Sequence, residues 1–382
     1  MDMSHLPLKI GQLIIVVHLD GTYAKTDDMD VGGYLLTPDL RATARASSDP
    51  AIQALADLRS RIPNSAGRLW EVAGGAALIT PDGNLGISVS RIGNLYGVPV
   101  RYSLDPAVTA EQVRLDMHQT RADVRAEITP ASGFLEAIRF RGGFADYAHN
   151  ELDAAGDVGT TFLHQGWEGR LELVQRDHAG WKGAVGAQFV LRKLNIIGDE
   201  KFLPKSDASQ IGIFTVQQFD LGAIRAEAGG RIERSTMAAR EDATLGTPDR
   251  SRSFTAVSGS LGAAYEITHG WRLGLNASYT ERAPSAEELF SNGPHAGTQA
   301  FEVGNPDFSK ETSKGLELTL RGSGPGYSLS ASVYHSWFDN FIYEQPDGAL
   351  AAPRAPAGLK VFLAVPVDWR NPAEHALGGG GP

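Results

Sequence analysis

Trp271-Arg272-Leu273-Gly274-Leu275-Asn276-Ala277-Ser278-Tyr279-Thr280 alternates apolar and polar residues without a break. Side chains on a β-strand point to opposite faces in turn, so this stretch carries one apolar and one polar face. The same period of two runs through Ile224 to Glu233, through Arg121 to Ile128 and through Tyr327 to Tyr334. It predicts about thirteen strands, near 8–27, 66–80, 85–96, 111–128, 135–147, 158–175, 181–195, 208–218, 221–235, 252–267, 271–282, 312–322 and 327–343. Helical patterning is confined to Ala51 to Arg61, inside a connection.

The connections alternate short and long. Pro81 to Asn84, Thr129 to Gly133, Arg176 to Gly180, Phe219-Asp220, Thr268 to Gly270 and Ser323 to Gly326 are short. The segments 28–65, 97–110, 148–157, 196–207, 236–251 and 283–311 are long. Such a chain sets tight turns at one end of an antiparallel sheet and large loops at the other. A transmembrane β-barrel has this form, with strands apolar towards lipid and polar towards the lumen. Closure satisfies every backbone group inside the membrane. Trp181 and Trp271 open strands just after short turns, and Tyr96, Tyr147, Tyr265, Tyr279 and Trp337 lie near strand ends. Aromatic girdles occupy these places in a barrel. The strands are longer than the ~5–6 residues usual in a soluble sandwich, and no fixed repeat marks a solenoid.

Composition agrees. The 382 residues include 44 Gly and no Cys, and the formal net charge is −10. An acidic chain is a poor general partner for nucleic acid. Without Cys there is no disulfide, thiolate metal site or Cys nucleophile. No apolar run approaches the ~18 residues of a spanning helix. The short run around Leu13 to Val17 is followed by His18 and Asp20 where a cleavage site should lie, so no signal peptide is read in this chain.

One segment is more specific. Arg282-Ala283-Pro284-Ser285-Ala286-Glu287-Glu288-Leu289-Phe290 resembles the R-x-P-[ST]-x-x-E-L-[FY] signature of TonB-dependent outer-membrane receptors. Gly304-Asn305-Pro306-Asp307 follows at the family's spacing, and Glu311 matches the Glu of the next strand start. Tyr96-Gly97-Val98-Pro99 and Val158 to Phe162 are similar to further family segments. The resemblance covers about residues 12–346, and within the family it is nearest to metal-uptake receptors of the zinc-transporter type. A His-rich outer loop of the zinc type is not visible in 97–110.

The resemblance implies an all-β, antiparallel transmembrane barrel in the outer membrane of a Gram-negative bacterium. Family barrels have about 22 strands around a plug. This chain is therefore expected to be incomplete, with about 13 of those strands over residues 1–348 and no plug domain. Residues 349–382, rich in Ala, Pro and Gly, are expected to be an irregular, out-of-frame tail. The implied function is that of a receptor for a metal or a siderophore-like metal chelate, inactive as this fragment. Implied partners are outer-membrane lipids, the metal or chelate, and the TonB complex acting through a plug. The alternatives are a small porin-like pore and a soluble β-rich binding domain.

No catalytic or cofactor-binding motif stands out, so an enzyme is the least expected class. In the signature, Pro284 should end strand pairing because it lacks an N–H. Ser285 and Glu288 should form a capping box over one helical turn. His149 and Glu151 open one long loop, and His295 and Glu302 lie in another. Imidazole and carboxylate suit zinc and similar metals, so these four are candidate ligand contacts if both loops fold over one mouth. Asp27, Asp28 and Asp30 read as a solvated turn. Inward Arg and Glu are expected to pair across the lumen rather than to bind ligand.

Overall fold

The computed structural model describes residues 5–10, 12–108, 110–295, 300–346 and 359–367. The elements are β1 (His5–Ile10), β2 (Leu13–Thr26), β3 (Asp30–Tyr34), α1 (Pro38–Ala46), α2 (Pro50–Leu55), β4 (Arg59–Arg61), β5 (Gly67–Thr80), β6 (Gly83–Gly97), β7 (Arg114–Ile128), β8 (Leu135–Leu152), β9 (Val158–His178) and β10 (Trp181–Gly198). They continue with β11 (Ser206–Asp220), β12 (Ile224–Ala239), β13 (Arg250–Thr268), β14 (Trp271–Arg282), α3 (Ala286–Phe290), β15 (Asn292–His295), β16 (Ala300–Val303), β17 (Glu311–Gly324), β18 (Tyr327–Pro346) and β19 (Leu359–Val367).

The long strands form one antiparallel meander. β2 pairs with β5, each strand from β5 to β14 pairs with the next, β14 pairs with β17, and β17 with β18. These are the thirteen strands of the periodic pattern. β1 adds at one edge and β19 at the other. Among the described residues no pairing joins β1 to β19, so the sheet is open.

The turns follow from local chemistry. Ala179 and Gly180 join β9 to β10 with φ of 54° and 87°. Two positive φ values in a two-residue loop match the right-handed twist of the flanking strands. The apolar face of the sheet is bare: Leu261 is 68% exposed and Val333 74%. In water such a surface would be untenable; against lipid it is the favourable one. Trp181 stacks on Phe219 with the rings 1° apart, and Phe134 meets its edge, all at the short-turn end. Among the described residues no helix is long and apolar enough to cross a membrane; strands make the crossing.

Three expectations need correction. The stretch 8–27 is not one strand but the hairpin β1–β2. Helix is not confined to 51–61. Thr37 caps α1 by accepting the Leu40 N–H, with Pro38 at the first helical position, and Asp49 and Pro50 start α2 in the same way. These caps weigh more than the weak apolar period there. The stretch 359–367, inside the tail expected to be irregular, is strand β19 and pairs with β18. The rest of that tail lies outside the described residues.

Most of the buried apolar side chains gather on the polar face, at the long-loop end. There Phe162 and Ile196 pack with Phe202, Leu203, Met237 and Phe254 beneath the connection 283–310. Burial of each such side chain stabilises by roughly 1.5–3 kcal/mol. A small second cluster of Ala44, Ile52 and Ala56 holds α1 against α2 in the 27–66 connection. Asp28 closes that connection by accepting the Ser65 and Ala66 N–H groups at 2.8 and 2.9 Å, and Asp30 meets Arg61.

Candidate functional site

The signature residues build the connection between β14 and β17. β14 ends at Arg282, before the fully buried Pro284. The Ser285 hydroxyl accepts the Glu288 N–H, and the Glu288 carboxylate accepts the Ser285 N–H at 2.7 Å, so the expected capping box is present. Arg282 then grips Glu288 at 2.9 and 3.1 Å and Glu311 at 3.2 Å. Glu311 in turn accepts the Ile342 N–H of β18. The Asn305 N–H donates to the Glu288 carbonyl at 2.8 Å, and the Asn305 side chain accepts the Asp307 N–H. Arg252 donates to the carbonyls of Pro306 and Phe308. Arg282 thus pairs with both Glu288 and Glu311, while Glu288, Glu311 and Asn305 bond backbone, and together they brace the connection.

Glycine permits a close backbone contact in this loop. A Cβ on Gly304 would lie 2.8 Å from the Leu289 carbonyl carbon and the Phe290 nitrogen. Two further loops join it. Asn292 donates to the Leu245 carbonyl, its N–H donates to Phe202, and Lys201 pairs with Asp242 at 2.5 Å.

His149, His295 and Glu302 meet under this roof. The His149 ring stacks on Phe162 at 4.2 Å and 15°, with its Nδ1 2.9 Å from the Tyr147 hydroxyl. Phe162 lies 6.1 Å from the His295 ring, which stacks on Phe202 at 4.2 Å. His295 Nδ1 is 2.8 Å from Glu302 Oε1 across the β15–β16 hairpin. Glu151 sits one inward position beyond His149, opposite Thr160. Glu151 is 5% exposed and Thr160 fully buried, and Glu151 Oε2 and the Thr160 hydroxyl bond to no protein group.

A tilted strand crosses the ~25 Å apolar band in about ten residues, so the last residues of the 18-residue β8 stand clear of it. Burial pushes the Glu151 carboxyl up to about 7, with Glu200 and Glu111 adding to the rise and His295 opposing it. Burial also lowers the His149 imidazole. Glu200 is raised by burial and by Glu111. Thr160, Phe162, Phe202, Glu111 and Glu200 were not singled out as site residues. Only Val158 to Phe162 carried a signal, through its likeness to a family segment. Among the described residues no three His, Asp or Glu side chains gather as a metal-ligand set.

Below the mouth the charged side chains pair within the wall, along one strand or between neighbouring strands, and not across the lumen as expected. Arg121 bonds Asp123 at 2.8 Å, Arg139 bonds Glu127 at 2.7 Å, Arg170 bonds Glu172 at 2.7 Å, and Arg231 pairs with Glu233.

A meander of long strands, bare and apolar on one face, charged on the other and roofed at one end by its loops, defines the wall of an outer-membrane-type barrel. The chain belongs to the family described as TonB dependent receptor-like, beta-barrel, which matches residues 60–367. That family sits in the Gram-negative outer membrane, and its members are receptors and transporters rather than enzymes.

Solved structures share the fold. The Serratia marcescens hemophore receptor HasR, solved as a double mutant with its hemophore HasA and heme, is 14% identical over 95% of this chain and 56% of its own, with a TM-score of 0.68. The copper transporter OprC is 15% identical over 94% of this chain and 53% of its own, with a TM-score of 0.68. The siderophore receptor PirA from Pseudomonas aeruginosa is 14% identical over 95% and 56%, with a TM-score of 0.64. The chain spans about half the length of these solved proteins.

Proposed function

We propose that this chain is part of an outer-membrane receptor that takes up a metal ion or a siderophore-like metal chelate. The observation that carries the reading is the meeting of separate long loops over one mouth, where Phe162 links the His149 and His295 rings, Phe202 stacks on His295 and Glu302 pairs with it, and Glu151 lies two residues beyond His149. Imidazole and carboxylate groups can engage a metal centre. Copper, heme and siderophore proteins among the solved structures support this class of cargo. Energy would come from the TonB complex acting through a plug in the whole protein.

The test is a titration of the full chain, folded in detergent micelles, with Zn²⁺, Cu²⁺, heme and ferric hydroxamate and catecholate chelates. Tryptophan fluorescence reports binding. Saturable quenching by at least one of them, lost in a His149→Ala/His295→Ala double variant, supports the reading. No saturable binding by any, or binding that the double variant leaves intact, overturns it.

A further inference from the structure

The register of the sheet sets three arginines side by side on the polar face. Arg125 of β7 lies directly opposite Arg141 of β8, and Arg141 directly opposite Arg170 of β9. Like charges directly opposed destabilise a sheet, so strand pairing gains nothing from this row. The surrounding carboxylates are already engaged. Asp123 takes two bonds from Arg121, Glu127 one from Arg139 and Glu172 two from Arg170, while Glu168 lies 3.5 Å from Arg121. Arg125 and Arg141 hydrogen-bond no group among the described residues. With Arg121, Arg170 and Gln188, and with the carboxylates of Asp123 and Glu168, they line a hollow of about 150 Å³. Gly86, opposite Arg125, keeps the next position open: a Cβ there meets nothing nearer than 3.8 Å.

We propose that Arg125 and Arg141, flanked by Arg170, form an oxyanion site on the lumen wall for a carboxylate or phosphate group of a soluble ligand. A guanidinium offers five N–H donors in a rigid fork that matches two oxygens of such a group. Two adjacent forks that hydrogen-bond no group among the described residues can hold an oxyanion from two sides. The site is separate from the mouth. His149 lies eight residues further along β8 than Arg141, about 26 Å at ~3.3 Å per residue. An anionic ligand leaving the mouth would meet this row on the inner wall. The proposal rests on the polar face being the lumen face, and is independent of whether the cargo carries a metal.

Equilibrium dialysis of the full chain in detergent micelles, at low salt, against radiolabelled citrate and separately against inorganic phosphate tests it. Neither probe contains a metal, so failure here is distinct from failure of metal or chelate capture. Saturable binding of one anion per chain is expected, weakened at least about tenfold by Arg141→Gln. Arg141→Lys should recover only part of it, because a point charge lacks the fork. Arg101→Gln, an equal change of charge in the exposed segment before β7, should leave it within about twofold. Tighter citrate identifies a carboxylate ligand and tighter phosphate a phosphate ligand. If Arg141→Gln fails to fold, as judged by heat-modifiable gel mobility, Arg125→Gln interrogates the same row. No saturable binding of either anion, or equal weakening by the Arg141 and Arg101 variants, overturns the proposal.

Discussion

Arg282 holds Glu288 through both terminal nitrogens of its guanidinium, at 2.9 and 3.1 Å, tying the end of β14 to the single turn of α3. One of those nitrogens also reaches Glu311 at the head of β17. The two carboxylates are each only 14% exposed. Arg282→Gln would leave both without their counterion. Discounted for the partial exposure of Arg282, the loss should be about 1–3 kcal/mol. Proteinase K digestion in micelles should show faster cleavage within 283–310, while the strands stay protected.

Gly304 makes a sharper test of the same loop. The Cβ of Gly304→Ala would press on the backbone of Leu289 and Phe290, which no side-chain rotation relieves. Ser285→Ala removes only the cap, at a cost of about 1 kcal/mol. Gly304→Ala should therefore lower the urea midpoint more than Ser285→Ala, by about 1–3 kcal/mol in its own right.

Phe162 bridges the two imidazoles of the mouth. Phe162→Ala should destabilise by about 3–5 kcal/mol through the cavity it leaves. It should also relieve the burial that lowers the His149 imidazole, so the NMR titration midpoint of His149 should rise towards its ordinary 6.5. A midpoint unchanged in a folded variant would show that Phe162 does not shield that ring.

Glu151 makes the fold pH-dependent. Its carboxyl titrates at about 7 in the folded protein, against an ordinary 4.5. Between those values the folded chain keeps a proton that the unfolded chain has released. Stability therefore falls as pH rises from about 4.5 to about 7, by roughly 3 kcal/mol in all, and is unaffected by this group below that window. Glu151→Gln should be more stable than the parent at pH 8, and the gain should vanish by pH 4. Urea unfolding at the two pH values decides it.

Much of this was legible in the chain. The alternation of Trp271 to Thr280 specifies a strand because successive side chains must point to opposite faces, and no helix tolerates that period. The alternation of short and long connections specifies the meander. The Ser285 and Glu288 spacing specifies the capping box, because both bonds close within one turn. The caps at Thr37 and Asp49 were there to be read as well, ahead of Pro38 and Pro50, but the apolar period around them is weak.

What the sequence determined by itself is local: which segments are strands, which face of each is apolar, and where the chain turns. Only the tertiary structure decided what those faces bring together. Thr160 looks like an ordinary polar strand residue, and Glu151 reads only as a candidate contact at a loop's start, until the fold buries both and leaves Glu151 Oε2 and the Thr160 hydroxyl unbonded. Arg125, Arg141 and Arg170 are unremarkable on their own strands and become a row only through cross-strand register. The reason is physical: period and capping act over a few residues, whereas burial and charge juxtaposition depend on neighbours distant in the chain, which a single strand cannot specify.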